Sequence, residues 1–139
     1  MKNTTPIVIG SDHAGYALKE LVKDYLTASN IEVEDCGTYS EESVDYTDFG
    51  IAVAEKVSSG DFKRGILVCG TGLGMSMVAN RFKYVRAALC NDIFSAMMSR
   101  QHNDSNILVL GGRVIGVELA KEIVQVWLKT PFEGGRHKS

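Results

Sequence analysis

A chain of 139 residues, 45% of them hydrophobic, is long enough to bury one core and fits a single domain spanning 1–139. A net charge of −2 gives no basic face for nucleic acid, and no apolar run reaches the roughly 20 residues of a membrane span. The three cysteines, Cys36, Cys69 and Cys90, are odd in number and lack CxxC spacing, so neither a disulfide framework nor a structural metal is implied.

The opening MKNTTPIVIGSDHAG turns polar too early for a signal peptide, which makes the cytoplasm the expected compartment. IVIGS (7–11) reads as a short buried strand, and YALKELVKDYL (16–26) spaces its apolar residues as a helix does. IEVEDCG (31–37) alternates with the period of a strand, and FGIAVAEKVSSG (49–60) is a helix that a glycine stops. GILVCG (65–70) is an unbroken apolar strand, followed by a glycine loop and a short helix through Asn80. VRAALCN (85–91) and NILVLGG (106–112) are two more strands, with DIFSAMMSRQH and GVELAKEIVQVWLK as the helices that follow them. Five strand–helix pairs predict a Rossmann-like five-stranded parallel sheet covered on both faces, a three-layer α/β/α sandwich. Strand order is not legible in this pattern. The place of a site is, because ligands in such sheets bind outside the carboxyl ends of the strands.

Polar motifs gather there. SDHAG follows the first strand, CGTGLG the third, CND the fourth and GGRVIG the fifth, while SRQHND closes the helix after the fourth. Gly70, Gly72 and Gly74 sit at a helix start, where backbone N–H groups can converge on an anion. No GK[ST] follows, and the GxGxG spacing is not the dinucleotide fingerprint. An oxyanion or phosphate cradle is therefore preferred to a plain tight turn. Cys69 enters this loop and is either a buried small hydrophobe or a reactive thiol at a helix N-terminus. Cys36 and Cys90 enter no cradle and read as structural. Asp12 and His13 either cap the next helix or bind a polar substrate. His102 and Asn103 either finish a helix or serve the site. Arg113 and Arg136, each beside a Gly-Gly pair, suit phosphate through their planar forks.

A thiol, imidazoles, an amide cradle and arginines, without the Lys/Mg apparatus of nucleotide phosphoryl transfer, fit proton abstraction beside a sugar-phosphate carbonyl. Residue chemistry alone stops at that class.

The blocks GSDHAGYALK, DYTDF, GILVCGTGLGMSMVANR, RAALC, SRQHNDSNILVLGGRVIG and EGGRH, in this order over residues 10–137, closely resemble type B ribose-5-phosphate isomerases. The resemblance implies an aldose–ketose isomerase of the pentose phosphate pathway that interconverts ribose 5-phosphate and ribulose 5-phosphate without metal or cofactor. It implies that Cys69 is the base shuttling a proton between C1 and C2. Other branches use a glutamate just past the glycine loop, where this chain has Met75. Gly70, Thr71, Gly72, Leu73 and Gly74 would cradle the enediolate. His102, with Thr71 beside it, would open the sugar ring, and Asn103, Asp12, His13, Arg113 and Arg136 would hold sugar and phosphate. The family forms homodimers or tetramers with sites shared between subunits, so a second copy is the expected partner. Family members usually continue past GGRH into a further helix with another phosphate-binding arginine. This sequence stops at Ser139, and that helix is expected to be missing.

Two rivals stay open. One is the same chemistry on allose 6-phosphate or galactose 6-phosphate; the other is a non-catalytic sugar-phosphate sensor. Retention of both Cys69 and His102 argues against the sensor, since a pure binder needs no base.

Overall fold

The alternating apolar patterns become ten alternating elements in the computed structural model, which describes residues 5–134. They are β1 (Ile7–Ser11), α1 (Tyr16–Ala28), β2 (Val33–Asp35), α2 (Tyr46–Ser58), β3 (Arg64–Cys69), α3 (Leu73–Ala79), β4 (Ala87–Leu89), α4 (Ile93–Gln101), β5 (Ile107–Gly111) and α5 (Val117–Lys129). The strands pair in parallel in the order β2-β1-β3-β5-β4. Because successive strand residues face opposite sides, the sheet feeds two cores. Ile7, Ile9, Ile66, Val68, Leu108 and Leu110 pack against Leu18, Val22 and Leu26 of α1, Ala96 of α4, and Ile123, Val124 and Trp127 of α5. Val8, Leu67, Cys69, Ile107 and Val109 pack against Val53, Ala54 and Val57 of α2 and Met75 and Ala79 of α3. The predicted three-layer α/β/α sandwich is the architecture that forms. Among the described residues no helix is long and apolar enough to cross a membrane.

Boundaries differ where local chemistry outweighs periodicity. α2 starts at Tyr46, ahead of the apolar run at 49, because the Asp45 carboxylate accepts the Thr47 N–H (3.1 Å) and hydroxyl (2.7 Å) and so caps the helix. β2 and β4 are shorter than their patterns, three residues each. Both are edge strands with a partner on one side only. At the end of β2 the chain turns away through Gly37, whose φ of +101° suits glycine and few other residues.

This topology positions the site. β1 leads on to its neighbour β2, whereas the chain after β3 runs to the far edge and returns through β5. α1 leaves β1 over one face and α3 leaves β3 over the other. A crevice between diverging connections therefore opens at the carboxyl ends of β1 and β3, the switch point at which open α/β sheets bind ligands.

Candidate active site

Cys69 is the last residue of β3 and points to the α2/α3 face, with 5% of its surface exposed. Its Sγ accepts the Gly72 N–H at 3.2 Å. That bond exists because Gly72 takes a left-handed φ of +84°, folding the loop back over the sulfur. That φ suits glycine, and a Cβ at Gly72 would also run into Leu89 Cδ1. Thr71 Oγ1 accepts the Leu73 N–H at 3.2 Å, bridging the first turn of α3. Gly74 lies under the Tyr46 ring, where a Cβ would come within 2.6 Å of the aromatic carbons. The loop thus presents close-packed backbone around one sulfur. Elsewhere, burial pushes the Cys36 thiol up and pushes the Cys90 thiol up to about 11.

The neighbouring strand ends lock onto this loop. After β5, the Gly112 N–H donates to the Cys69 carbonyl (2.7 Å) and the Arg113 N–H to the Gly70 carbonyl (2.9 Å). The Arg113 side chain lies across Gly70, its Cδ 3.5 Å from where a Cβ would stand. After β1, the Asp12 N–H donates to the Val68 carbonyl (3.3 Å). Asp12 is buried, and its Oδ1 accepts the Gly15 N–H at 2.9 Å, which braces the turn ahead of α1. His13 Nδ1 accepts the Val44 N–H at 3.1 Å, which leaves the Nε2–H of the neutral ring as its donor. Asp12, His13, the loop 69–74 and Arg113 therefore share one edge of the sheet.

Two supports were not legible as such in the sequence. The ring of Tyr46, a residue of the DYTDF block, covers Gly74. Lys19, a cation within the YALKELVKDYL helix pattern, is fully buried. Its Nζ reaches both Asp35 oxygens (2.8 and 2.7 Å), and Asp35 also accepts Lys23 Nζ and the Gly37 N–H, each at 2.8 Å. The Gly37 carbonyl in turn accepts the Ser11 N–H (2.7 Å), which pins the end of β1 immediately before Asp12.

His102 and Asn103 depart from the carboxyl-edge reading. α4 returns antiparallel to the strands, so its end lies at the amino edge, just before β5 begins. Exposed His102 terminates α4 with its N–H on the Met98 carbonyl (2.9 Å). The Asn103 carbonyl accepts Arg86 Nε at 2.6 Å, beside the start of β4. From Ile107 to Gly111 the strand spans about 13 Å, so His102 and the Cys69 loop of one chain stand on opposite edges. Within a single chain His102 is therefore not beside Thr71. The Glu133 N–H donates to the Gln101 carbonyl (3.1 Å), bringing the C-terminal segment to the His102 turn. Arg136 lies outside the described residues. Among those residues, no group of His, Cys, Asp and Glu is arranged to hold a metal ion.

Residues 7–139 match the family model described as Ribose/Galactose Isomerase. The chain is 48% identical over 132 residues to ribose-5-phosphate isomerase B of Escherichia coli (strain K12), covering 95% of this chain and 89% of that protein. It is 44% identical to D-erythrulose-4-phosphate isomerase of Pectobacterium atrosepticum, covering 93% of this chain and 86% of that one. The crystal structure of a ribose 5-phosphate isomerase from Thermotoga maritima superposes with a TM-score of 0.95 at 56% identity, covering 98% of this chain and 94% of that chain.

Proposed function

The chain belongs to the ribose/galactose isomerase family, and we propose that it interconverts ribose 5-phosphate and ribulose 5-phosphate through an enediolate, with Cys69 as the proton-transfer base. It is an aldose–ketose isomerase, as the relatives that match nearly its whole length are. The observation that carries the site assignment is Cys69 Sγ held by the Gly72 N–H at the mouth of a glycine loop. An N–H aimed at sulfur stabilises negative charge there.

The chemistry balances as follows. An acid protonates the ring oxygen as the C1 hydroxyl loses its proton, giving the open aldose. The Cys69 thiolate takes the C2 proton, so the C2–H bond breaks, S–H forms, and the electron pair becomes an enediolate. The loop 70–74 offers backbone N–H groups to that charge. The thiol returns its proton to C1 while the O2 proton passes to O1, leaving the ketose. Asp12 and His13 hold sugar hydroxyls, and Arg113 with Arg136 holds phosphate.

His102 is the proposed ring-opening acid and Asn103 a sugar contact, each supplied by a second copy. Their place at the amino edge supports this reading, because one chain cannot bring them to its own Cys69. Exposed Leu73 and Met77 on α3, Phe94 at the start of α4 and Val114 after β5 flank the Cys69 half and suit it to face another subunit. The working unit is then a homodimer, or a tetramer built from such dimers. Three unpaired thiols suit the cytoplasm.

The test mixes Cys69→Ala and His102→Asn proteins, each inactive alone, under conditions of demonstrated subunit exchange. Partial recovery of turnover on ribose 5-phosphate, in EDTA, supports the shared site. No recovery despite exchange rejects it. Allose 6-phosphate assayed beside ribose 5-phosphate decides the substrate length, and binding without turnover of either would make the protein a sensor.

A further inference from the structure

Away from the Cys69 loop, a cavity of about 710 Å³ opens at the amino edge, among the segments that lead into β3, β4 and β5. Lys63, Arg64, Arg86 and Arg100 line it, and Asp104 is the one carboxylate among its lining residues. Asp104 is already paired with Arg100 at 2.9 Å. Arg64 and Arg86 form no ion pair among the described residues and are instead oriented by neutral groups. The Arg64 guanidinium lies 5.0 Å from the centre of the Trp127 ring and donates to the Trp127 carbonyl (3.4 Å). Arg86 uses Nε on the Asn103 carbonyl, which leaves its two terminal nitrogens for another acceptor. Tyr84 stands at the rim, 72% exposed, on a backbone with φ of +69°.

These facts point one way. Holding a guanidinium by carbonyls and an indole face fixes its direction without cancelling its charge. Burial first, and then the charge of Arg100, lower Arg64 to about 10, with Asp104 opposing; it remains a cation at neutral pH. A chain of net charge −2 has thus gathered four cations and one committed carboxylate around a volume in the range of small-ligand sites. An anion there relieves the repulsion between Arg64 and Arg100. An aromatic ring joined to that anion finds the Tyr84 ring, which carries Lys83 Nζ over one face at 5.4 Å and is otherwise exposed.

We propose that the amino-edge cavity is a second ligand site, separate from the Cys69 loop, that takes a nucleoside monophosphate or similar aromatic phosphomonoester, its phosphate on Arg64 and Arg86 and its ring on Tyr84. None of these side chains belongs to the proposed isomerase machinery. The bond from Arg86 to Asn103 nevertheless links the cavity to the turn that carries His102.

The chain contains its own reporter. Trp127 is the only tryptophan, is anchored by its Nε1–H on Ser105 Oγ (2.8 Å), and carries Arg64 on its face. Titration of the intact protein with adenosine monophosphate should change Trp127 fluorescence saturably, with a matching heat of binding by calorimetry. Arg86→Gln should weaken that binding about tenfold to a hundredfold, the worth of a charge-assisted phosphate bond. Lys63→Gln, an exposed change that spares the fold, should weaken it less but measurably. Tyr84→Ala should weaken adenosine monophosphate while leaving inorganic phosphate unchanged. Arg113→Gln should leave the fluorescence response intact. The proposal is overturned by the absence of saturable binding, by affinity unchanged in both Arg86→Gln and Lys63→Gln, or by a response that vanishes with Arg113→Gln instead.

Discussion

The two edges of the sheet carry candidate chemistry in different physical states. At the carboxyl edge each group is held by backbone: Cys69 by Gly72, Thr71 by Leu73, Asp12 by Gly15 and His13 by Val44. At the amino edge His102 rides on an exposed helix end, with cationic side chains nearby and no glycine cradle. Backbone-held groups suit a developing negative charge, since fixed dipoles need no reorganisation when the charge appears. An exposed imidazole suits proton delivery to a surface that docks against it. Under the proposed function, proton abstraction and ring opening would fall to different edges, and so to different copies of the chain.

The largest effect expected from breaking this division is at Cys69. Cys69→Ser should lower kcat on ribose 5-phosphate by about 10²–10⁴, the usual weight of a positioned base. KM should stay near the wild-type value, because Asp12, His13 and the arginines remain. Wash-out of deuterium from C2 separates the base from mere packing: the wild type should exchange it with solvent and the serine variant should not. A serine variant that still exchanges at a near-normal rate removes Cys69 from the mechanism.

The next effect belongs to the other edge. His102→Asn should cost about 10² on an aldose that closes into a ring, within the range for general acid catalysis. It should cost much less on ribulose 5-phosphate, whose chain is already open. Equal losses in both directions, with chemistry limiting each, would move His102 from ring opening to the isomerisation itself.

How far these edges were legible in the sequence follows from what local patterns encode. β3 and the glycine loop were readable because an unbroken apolar run and an N–H-rich turn are local signals, and the carboxyl-edge rule places both at one edge of the sheet. The residue type of His102 allows site chemistry or a helix end, but its distance from Cys69 depends on α4 returning antiparallel across the sheet, which residue types do not announce. Lys19 was missed for a related reason. It lies on the apolar side of α1, and its partner Asp35 is 16 positions further on, at the end of another element. Asp45 hid the true start of α2 because a cap sits outside the apolar repeat that marks the helix.

The buried Lys19–Asp35 pair supports only the carboxyl edge, so changing it should act through stability. Removing one partner of a buried pair costs about 3–5 kcal/mol when the other is left uncompensated. Asp35→Asn should approach that range, because it leaves buried Lys19 with Glu20 as its one carboxylate, at 3.2 Å. Lys19→Met should cost less, since Asp35 keeps Lys23 and the Gly37 N–H. Burial by itself would raise Asp35, but bonds from Lys19, Lys23 and Gly37 outweigh it and hold the carboxyl below its ordinary value. A group depressed in the folded state adds stability above its unfolded value near 3.9, and that stability is lost as pH falls through the folded value. Urea unfolding from neutral pH downward should therefore show a steeper acid loss in the wild type than in Asp35→Asn.

The smallest effect asks whether the two edges communicate through the helix that spans them. α4 begins at the carboxyl edge, where Asp92 accepts the Ser95 N–H (2.7 Å) and hydroxyl (2.9 Å), and it ends nine residues later at His102. Asp92→Ala removes that cap and should cost about 1 kcal/mol by urea unfolding. Fraying from a lost cap is confined to the first turn, because the remaining i→i−4 bonds and the packing of Ala96, Ser99 and Arg100 hold the rest. The His102 turn has its own anchors in Arg86 on Asn103 and Arg100 on Asp104, and neither depends on Asp92. Turnover at protein concentrations that saturate assembly should accordingly stay within twofold of the wild type, for the aldose and the ketose alike. A loss confined to the ring-closing aldose, as expected for His102→Asn, would instead mean that α4 transmits strain from one edge to the other and that the two halves of the chemistry are mechanically coupled.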